Sequence, residues 1–536
     1  MTTAAVAVGP GPAQPNAAGG TARADRRARR RIPWGLGTTS VLIVGGLMLP
    51  LAFLVLQAVQ VGWSAVWHLL DSSLVLNLLW NTVRLSVAVT VLAAVVGTGA
   101  AWLTERTDLP WRRAWAVLVV LPLVIPDFVI AWTWSSVFPA IHGYAGAVLV
   151  MTLGLYPLVY LPMASAFRSA DPGQEEAARS LGLSRTRVFL RVDLRQARTT
   201  LLGSSLLVCL ALLAEYGAFE NLRFQTFTTA IFTELDVSFS TAAACALSLV
   251  LVVLSVLVLL GEARFRERGT LQRTGARAAL AARRHRLGRA LPAALGSMVA
   301  LTGLALAFPL GVVSYWIARG GSSSLPATVS LAAAAGYSVL YSALGALIAT
   351  VLALPVTLLA ARRPSRLTAG LERSTFVVQA LPGLVIALSL VYVTSRYLPA
   401  VYESPELLIV AYSMIFFPLA IVAVRSSVVR APERLEEIGR SLGSGPLGVR
   451  LRVTLPLVAP GLAAAFCLVF LSAVTELTAT LLLVPNNVET LATQFWAYTQ
   501  NVSYGAAAPY AAAMIAISIV PGYLLGRWFD RRTTQA

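Results

Sequence analysis

About twelve apolar stretches, each roughly 20 residues long, follow one another along this chain. They centre on residues 38–59, 82–104, 114–136, 144–167, 199–219, 239–261, 291–316, 336–360, 374–395, 406–427, 457–480 and 506–527. A helix needs roughly 20 apolar residues to cross the hydrocarbon core of a bilayer. In lipid, every backbone N–H and C=O must be satisfied within its own segment, which leaves helices for spans of this length. The expectation is therefore an all-α integral membrane protein with about 12 transmembrane helices. Composition agrees, with 57% hydrophobic and 12% charged residues. Soluble globular chains carry roughly 25% charged residues.

The arginines set the orientation, because basic residues gather in cytoplasmic loops. Arg26, Arg27, Arg29, Arg30 and Arg31 precede the first stretch. Alternate loops then carry Arg106, Arg112 and Arg113; Arg179 to Arg195; Arg264 to Arg289; Arg362, Arg363 and Arg366; and Arg425 to Arg452. Arg527, Arg531 and Arg532 close the chain. The intervening loops hold few arginines, with Arg223, Arg319 and Arg396 as exceptions. Both termini are expected in the cytoplasm. The apolar run from about Leu36 to Val59 is too long for a signal-peptide core and lacks a cleavage site after it, so it is read as a retained anchor.

The formal charge of +18 is distributed between apolar spans rather than in a stripe with aromatics, so nucleic acid is not an expected partner. All 42 basic residues are Arg. A phosphate-cradling G-x-x-x-x-G-K-[ST] loop needs Lys, so any ATP hydrolysis must come from another chain. Cys209, Cys245 and Cys467 lie in apolar spans without metal-ligand spacing, and His68, His142 and His285 are scattered. No catalytic residue, metal ligand or cofactor is expected in this chain, and an integral membrane enzyme is disfavoured for want of a reactive cluster.

One polar stretch occurs twice. Asp171–Arg195 reads DPGQEEAARSLGLSRTRVFLRVDLR and Pro432–Pro456 reads PERLEEIGRSLGSGPLGVRLRVTLP. Shifted by 261 positions, Glu175, Glu176, Arg179, Ser180, Leu181 and Gly182 fall on Glu436, Glu437, Arg440, Ser441, Leu442 and Gly443. Val188, Leu190, Arg191, Val192 and Leu194 fall on Val449, Leu451, Arg452, Val453 and Leu455. Weaker echoes pair Glu215 with Glu476, Leu121-Pro122 with Leu381-Pro382, and Thr226–Phe232 with Thr490–Trp496. Two halves of about six spans with the same orientation make parallel repeats about an axis along the membrane normal. The expected organisation is a disordered basic tail over 1–34, a first half over 35–262 and a basic cytoplasmic linker over 263–290. A second half over 291–530 and a tail over 531–536 complete it.

Each copy reads as a helix, a glycine stop and a second short helix. Asp171 suits an N-cap, Pro172 the first helical position, and Gln174 a capping box. Gly182 ends that helix in the left-handed conformation and Ser184 starts the next. In the second copy Pro432, Gly443 and Ser444 take those places. Such an elbow is a short amphipathic knob suited to a groove in a soluble partner.

The pattern E-A-A, three residues, G, nine residues, I-x-L-P resembles the cytoplasmic loop of bacterial ABC importer permeases. Glu176, Ala177, Ala178 and Gly182 carry its first part, while Val192-Asp193-Leu194-Arg195 departs from its end. In the second copy Glu437-Ile438-Gly439 departs from E-A-A, but Gly443 and Val453-Thr454-Leu455-Pro456 match. The resemblance implies a type I ABC importer transmembrane fold in a bacterial inner membrane. It also implies a cytoplasmic ABC ATPase dimer and an extracytoplasmic solute-binding protein as partners. Coupling to the ATPase would fall to Glu176, Ala177, Ala178, Gly182, Glu437, Gly439, Gly443, Leu455 and Pro456. The fused, doubled form is similar to ferric iron permeases, notably at Glu215-Tyr216-Gly217 and at Glu476–Leu483 followed by Glu489-Thr490-Leu491-Ala492.

Acidic residues within spans cost about 2.5–3.5 kcal/mol at a helix centre and tend to face cavities. Asp127, Glu215 and Glu476 are of this kind, and Tyr216 adjoins one of them, so these four are candidates for a translocation path. Carboxylates suit a hard cation such as ferric iron. Structural roles compete with that reading: for Glu215 and Glu476, a place near the outer interface bonded to nearby backbone or to an Arg, and for Asp127, a partner in the backbone group freed by Pro126. Thiamine, phosphonate and polyamine remain alternative cargoes, and an ion-coupled secondary transporter with repeats is the alternative mechanism.

Overall fold

Long apolar segments place helices, and some of their breaks fall at prolines. The computed structural model describes residues 34–61, 72–238, 240–270, 284–320, 328–363, 365–379 and 381–533. The N-terminal tail with its arginine cluster and the middle of the linker lie outside the described residues. Among the described residues the secondary structure is helical, apart from one isolated bridge between Thr107 and His285.

Among the described residues, seven helices are long and apolar enough to cross a membrane, and five bent pairs raise the total to twelve if each pair is one span. Two of the breaks lie at prolines. Arg112–Val124 and Asp127–Val137 meet at 90° around Pro126, and Pro405–Ile415 meets Phe417–Val428 at 54° beside Pro418. A proline removes an intrahelical donor and its ring crowds the preceding turn.

The two halves are interlocked. The opening helices Trp34–Leu47 and Leu49–Val61 place Val44, Leu47, Phe53 and Leu54 in a core made mainly of second-half residues such as Leu384, Tyr412 and Val469. The Phe53 and Tyr392 rings lie 4.7 Å apart. Reciprocally, Phe308–Arg319 and Tyr504–Thr533 of the second half pack on the first. There Trp134 meets Phe308 at 4.2 Å, and the Trp316 indole donates to Ser136 Oγ at 3.2 Å. Exposed apolar side chains such as Leu42, Trp80, Val95 and Leu257 face outward, where lipid is the compatible solvent.

The structure revises one sequence echo. Pro126 N-caps Asp127–Val137 with φ −57° and ψ 141°, and Pro382 N-caps Gly383–Tyr397 with φ −58° and ψ 145°. Pro382 therefore corresponds to Pro126, not to Pro122, which lies in a 3-10 turn over Leu121–Val124. Pro-Asp-Phe-Val-Ile-Ala and Pro-Gly-Leu-Val-Ile-Ala align on this register. The Thr226 and Thr490 echo is structural: each backbone N–H donates to the threonine hydroxyl three residues on, at 2.9 and 3.0 Å. These contacts start helices Phe227–Asp236 and Leu491–Gln500.

Candidate coupling knobs and acidic path

Each repeated polar stretch folds into the same object. In the first, the helix Pro172–Ser180 ends before Gly182 at φ +78°, a second turn covers Arg185–Val188, and a π-helical segment covers Phe189–Asp193. In the second, the helix Glu433–Ser441 ends before Gly443 at φ +85°, followed by Pro446–Val449 and a π-helical segment over Arg450–Thr454. Both glycines sit in the left-handed region that a β-carbon disfavours. Leu183 N–H donates to Ala178 C=O at 3.2 Å, and Ser444 N–H to Gly439 C=O at 3.1 Å, closing each stop.

Two capping expectations need correction. Asp171 does cap, accepting from Gly173 N–H at 2.9 Å, but Gln174 bonds the Asp171 carboxylate, at 3.5 Å, rather than its backbone. The Asp171 N–H donates instead to Gln196 Oε1 at 3.1 Å. In the second copy Gly445, not Ser444, precedes the restarted helix, and its carbonyl accepts from Val449 N–H at 3.0 Å. Pro446 supplies the fixed φ suited to the first helical position there.

Helical periodicity splits each Glu-Glu pair. Glu175 turns inward and Glu176 outward, while Ala177 is exposed and Ala178 buried. In the second knob Glu437 is exposed and Gly439, at the place of Ala178, is buried. Leu455 and Pro456 open the following helix on an exposed turn. The outward faces also agree: Leu181 is 82% exposed and Leu442 79%, and Leu190 and Leu451 are exposed as well.

The inward glutamates are held by arginines absent from the sequence-based site. Arg106, the last residue of the long helix Ser73–Arg106, donates to Glu175 and lies 3.6 Å from Asp193, with 1% of its side chain exposed. Arg362, the last residue of Thr328–Arg362, reaches Glu436 at 3.0 Å, Glu433 at 3.5 Å and the Ala431 carbonyl at 3.0 Å. A guanidinium matches a carboxylate in geometry and keeps its charge when buried. Glu175, Asp193 and His285 bring ligand-type atoms within 4.8 Å of one another. Arg106 already faces both carboxylates, so this is an ion-pair cluster and a poor cation site.

The four path candidates gather at the junction of the halves. Glu215 C-caps Arg198–Ala214, and its carboxylate accepts from Ala218 N–H at 2.8 Å. Glu476 accepts from Ala479 N–H at 3.0 Å. Their own carbonyls accept from Thr228 and Thr480 hydroxyls, both at 2.6 Å. Tyr412 OH joins Thr480 at 2.7 Å. Each glutamate therefore helps to start the next short helix with its side chain. Glu215 lies within Coulombic range of both Asp127 and Glu476. A β-carbon on Gly217 would meet Leu477 at 2.6 Å and the Phe128 β-carbon at 2.9 Å, so the halves touch beside these acids. Tyr216 stacks on Phe232 at 4.4 Å and meets Trp496 at 5.7 Å, while Phe495 lies between Phe128 and Trp132. Asp127 stands at the first turn of its helix, against Gly154, and its counterpart in the other half is Gly383.

The family model described as binding-protein-dependent transport system inner membrane component matches residues 93–268 and again 353–535. The chain belongs to this family. It is a fused two-half ABC importer permease, a multi-pass inner membrane component. The Fe(3+)-transport system permease protein FbpB 2 of Haemophilus influenzae is 36% identical to it over 505 residues, covering 93% of this chain and 99% of that one. The sulfate transport system permease protein CysT of Escherichia coli is 27% identical over 257 residues, covering 43% of the permease and 92% of CysT. The putative molybdenum transport system permease protein YvgM of Bacillus subtilis is 30% identical over 219 residues, covering 36% and 95%. Relatives that match about half of the permease agree with its doubled architecture.

Proposed function

We propose that this permease carries ferric iron into the cytoplasm, driven by a separate ATPase dimer that grips the two knobs. The observation that carries the coupling reading is the repeated arrangement itself. An inward glutamate is tied to a helix-terminal arginine in each half, and an exposed leucine crowns the glycine stop at Leu181 and Leu442. The arginine connects knob to span, so a push on the leucine face travels into the long helix as a rigid-body displacement. Glu176 and Glu437 point outward, toward the partner rather than the span. The knobs and both termini face the cytoplasm, in accord with the arginine distribution. A solute-binding protein delivers cargo to the opposite side.

Iron rests on the acids at the junction together with the similarity to FbpB 2. Glu215, Glu476 and Asp127 present hard oxygen donors that favour a trivalent cation. The same charges oppose sulfate or molybdate, the cargoes named for other relatives. Radiolabelled iron uptake in cells that supply the ATPase and binding protein tests this. The double change Glu215→Gln and Glu476→Gln should lower iron uptake about tenfold or more while protein levels hold. Unchanged iron uptake, or transport of sulfate or molybdate by the parent protein in its place, would contradict the assignment.

A further inference from the structure

The two knobs differ at one residue that comes from neither repeat. In the second knob Arg440 reaches back one turn to Glu436 at 3.4 Å, so that glutamate holds Arg362 with one oxygen and Arg440 with the other. Arg179 is the equivalent of Arg440, yet it donates instead to His285 Nδ1 at 2.6 Å. On the other side of the ring, His285 Nε2 faces Glu175 Oε2 at 3.7 Å. The imidazole therefore stands between the arginine and the glutamate that pair directly in the second half.

His285 belongs to the segment joining the halves, and its backbone is fastened too. Its N–H donates to Arg106 C=O at 2.8 Å, and its C=O accepts from Asp108 N–H at 3.1 Å. Leu287 N–H donates to the Asp108 carboxylate at 2.8 Å. The ring stacks on Trp102 at 6.1 Å with a 21° tilt, and Trp102 in turn meets Phe189 of the first knob edge-on at 5.6 Å. Backbone pairing, ring stacking and two polar contacts thus converge on one side chain.

We propose that His285 is a positioning residue for ATPase coupling: the linker inserts it as a wedge that sets the first knob and leaves the second to its own salt bridges. This rests on the reading of the knobs as ATPase contacts. The wedge needs an acceptor toward Arg179 and a donor toward Glu175, which a neutral imidazole supplies on its two nitrogens. The two ATPase contacts are consequently unequal, the first governed by the linker and the second independent of it.

The test is cysteine cross-linking in the assembled transporter, from Leu181→Cys or Leu442→Cys to a cysteine in the groove of the partner ATPase. Parent protein without either change gives the background from Cys209, Cys245 and Cys467, which lie in the membrane spans. His285→Ala and His285→Phe should each reduce the yield at position 181 by roughly threefold or more and leave position 442 unchanged. His285→Gln, whose amide again offers a donor and an acceptor, should restore the yield at position 181. An unchanged yield at 181, or an equal loss at both positions, would overturn the proposal while the coupling reading stands. Failure of either cysteine to cross-link in otherwise unaltered protein would overturn the coupling reading, and the wedge with it.

Discussion

Arg106 and Arg362 end corresponding long helices, and each turns back to the inward glutamate of its own knob, Glu175 or Glu436. They do so in different surroundings. Arg106 is enclosed with Glu175 and Asp193, whereas 17% of the Arg362 side chain remains exposed. Thr454 occupies the place of Asp193 in the second half. The first clamp is a buried charge cluster and the second a half-buried one.

Removing one partner of a buried ion pair leaves an uncompensated charge, which costs about 3–5 kcal/mol. Arg106→Ala should therefore destabilise the protein by about that much, because two carboxylates lose their counter-charge. Arg362→Ala should cost about 1 kcal/mol, close to the value for a partly solvated pair. Unfolding in detergent, followed by intrinsic fluorescence, would rank the two. Equal losses would contradict the difference in burial.

Gly439 replaces the last alanine of the E-A-A pattern, and its backbone is helical. A β-carbon there would meet Val449 and Val453 at 3.4 Å, which is ordinary contact. Gly439→Ala should stabilise the second knob by about 0.5–1 kcal/mol by reducing the freedom of the unfolded chain. Uptake should match the parent. A fall in unfolding temperature would contradict this and show that the methyl crowds Val449 and Val453.

Gly217 marks the contact between halves. Gly217→Ala drives a methyl into Leu477 and Phe128, and overpacking of this kind costs about 1–3 kcal/mol. The expected result is a less stable protein with impaired uptake. Leu477→Ala in the same chain should recover part of both by opening the space. No recovery would place the strain elsewhere, against Phe128.

The repeat, the membrane spans and both glycine stops were legible in the sequence because each depends on local pattern. A polar Arg-rich stretch between apolar runs announces itself, and a left-handed turn after a helix asks for glycine. The arginine clamps were not legible. Arg106 lies 69 residues before Glu175, and Arg362 stands at a different offset from Arg106 than the shift of 261 that relates the knobs. One signal was present: in each half an arginine closes the second span. The register of Pro126 with Pro382 is hidden in the sequence because Leu-Pro at 121–122 imitates Leu-Pro at 381–382, whereas the residues after the proline carry the true match. His285 is one of three scattered histidines in the sequence, and nothing in the linker's composition shows that its backbone pairs with Thr107.

The central claim is that an ATPase drives transport through the exposed leucine faces of the two knobs. Its most direct measurement is ATP hydrolysis in proteoliposomes holding permease and ATPase, with and without iron-loaded binding protein. Leu181→Asp with Leu442→Asp puts a charge on each face without touching the clamped glutamates. Loss of the binding-protein-stimulated hydrolysis, with the variant inserted at the parent level, is the predicted result. Stimulation equal to that of the parent would contradict the account.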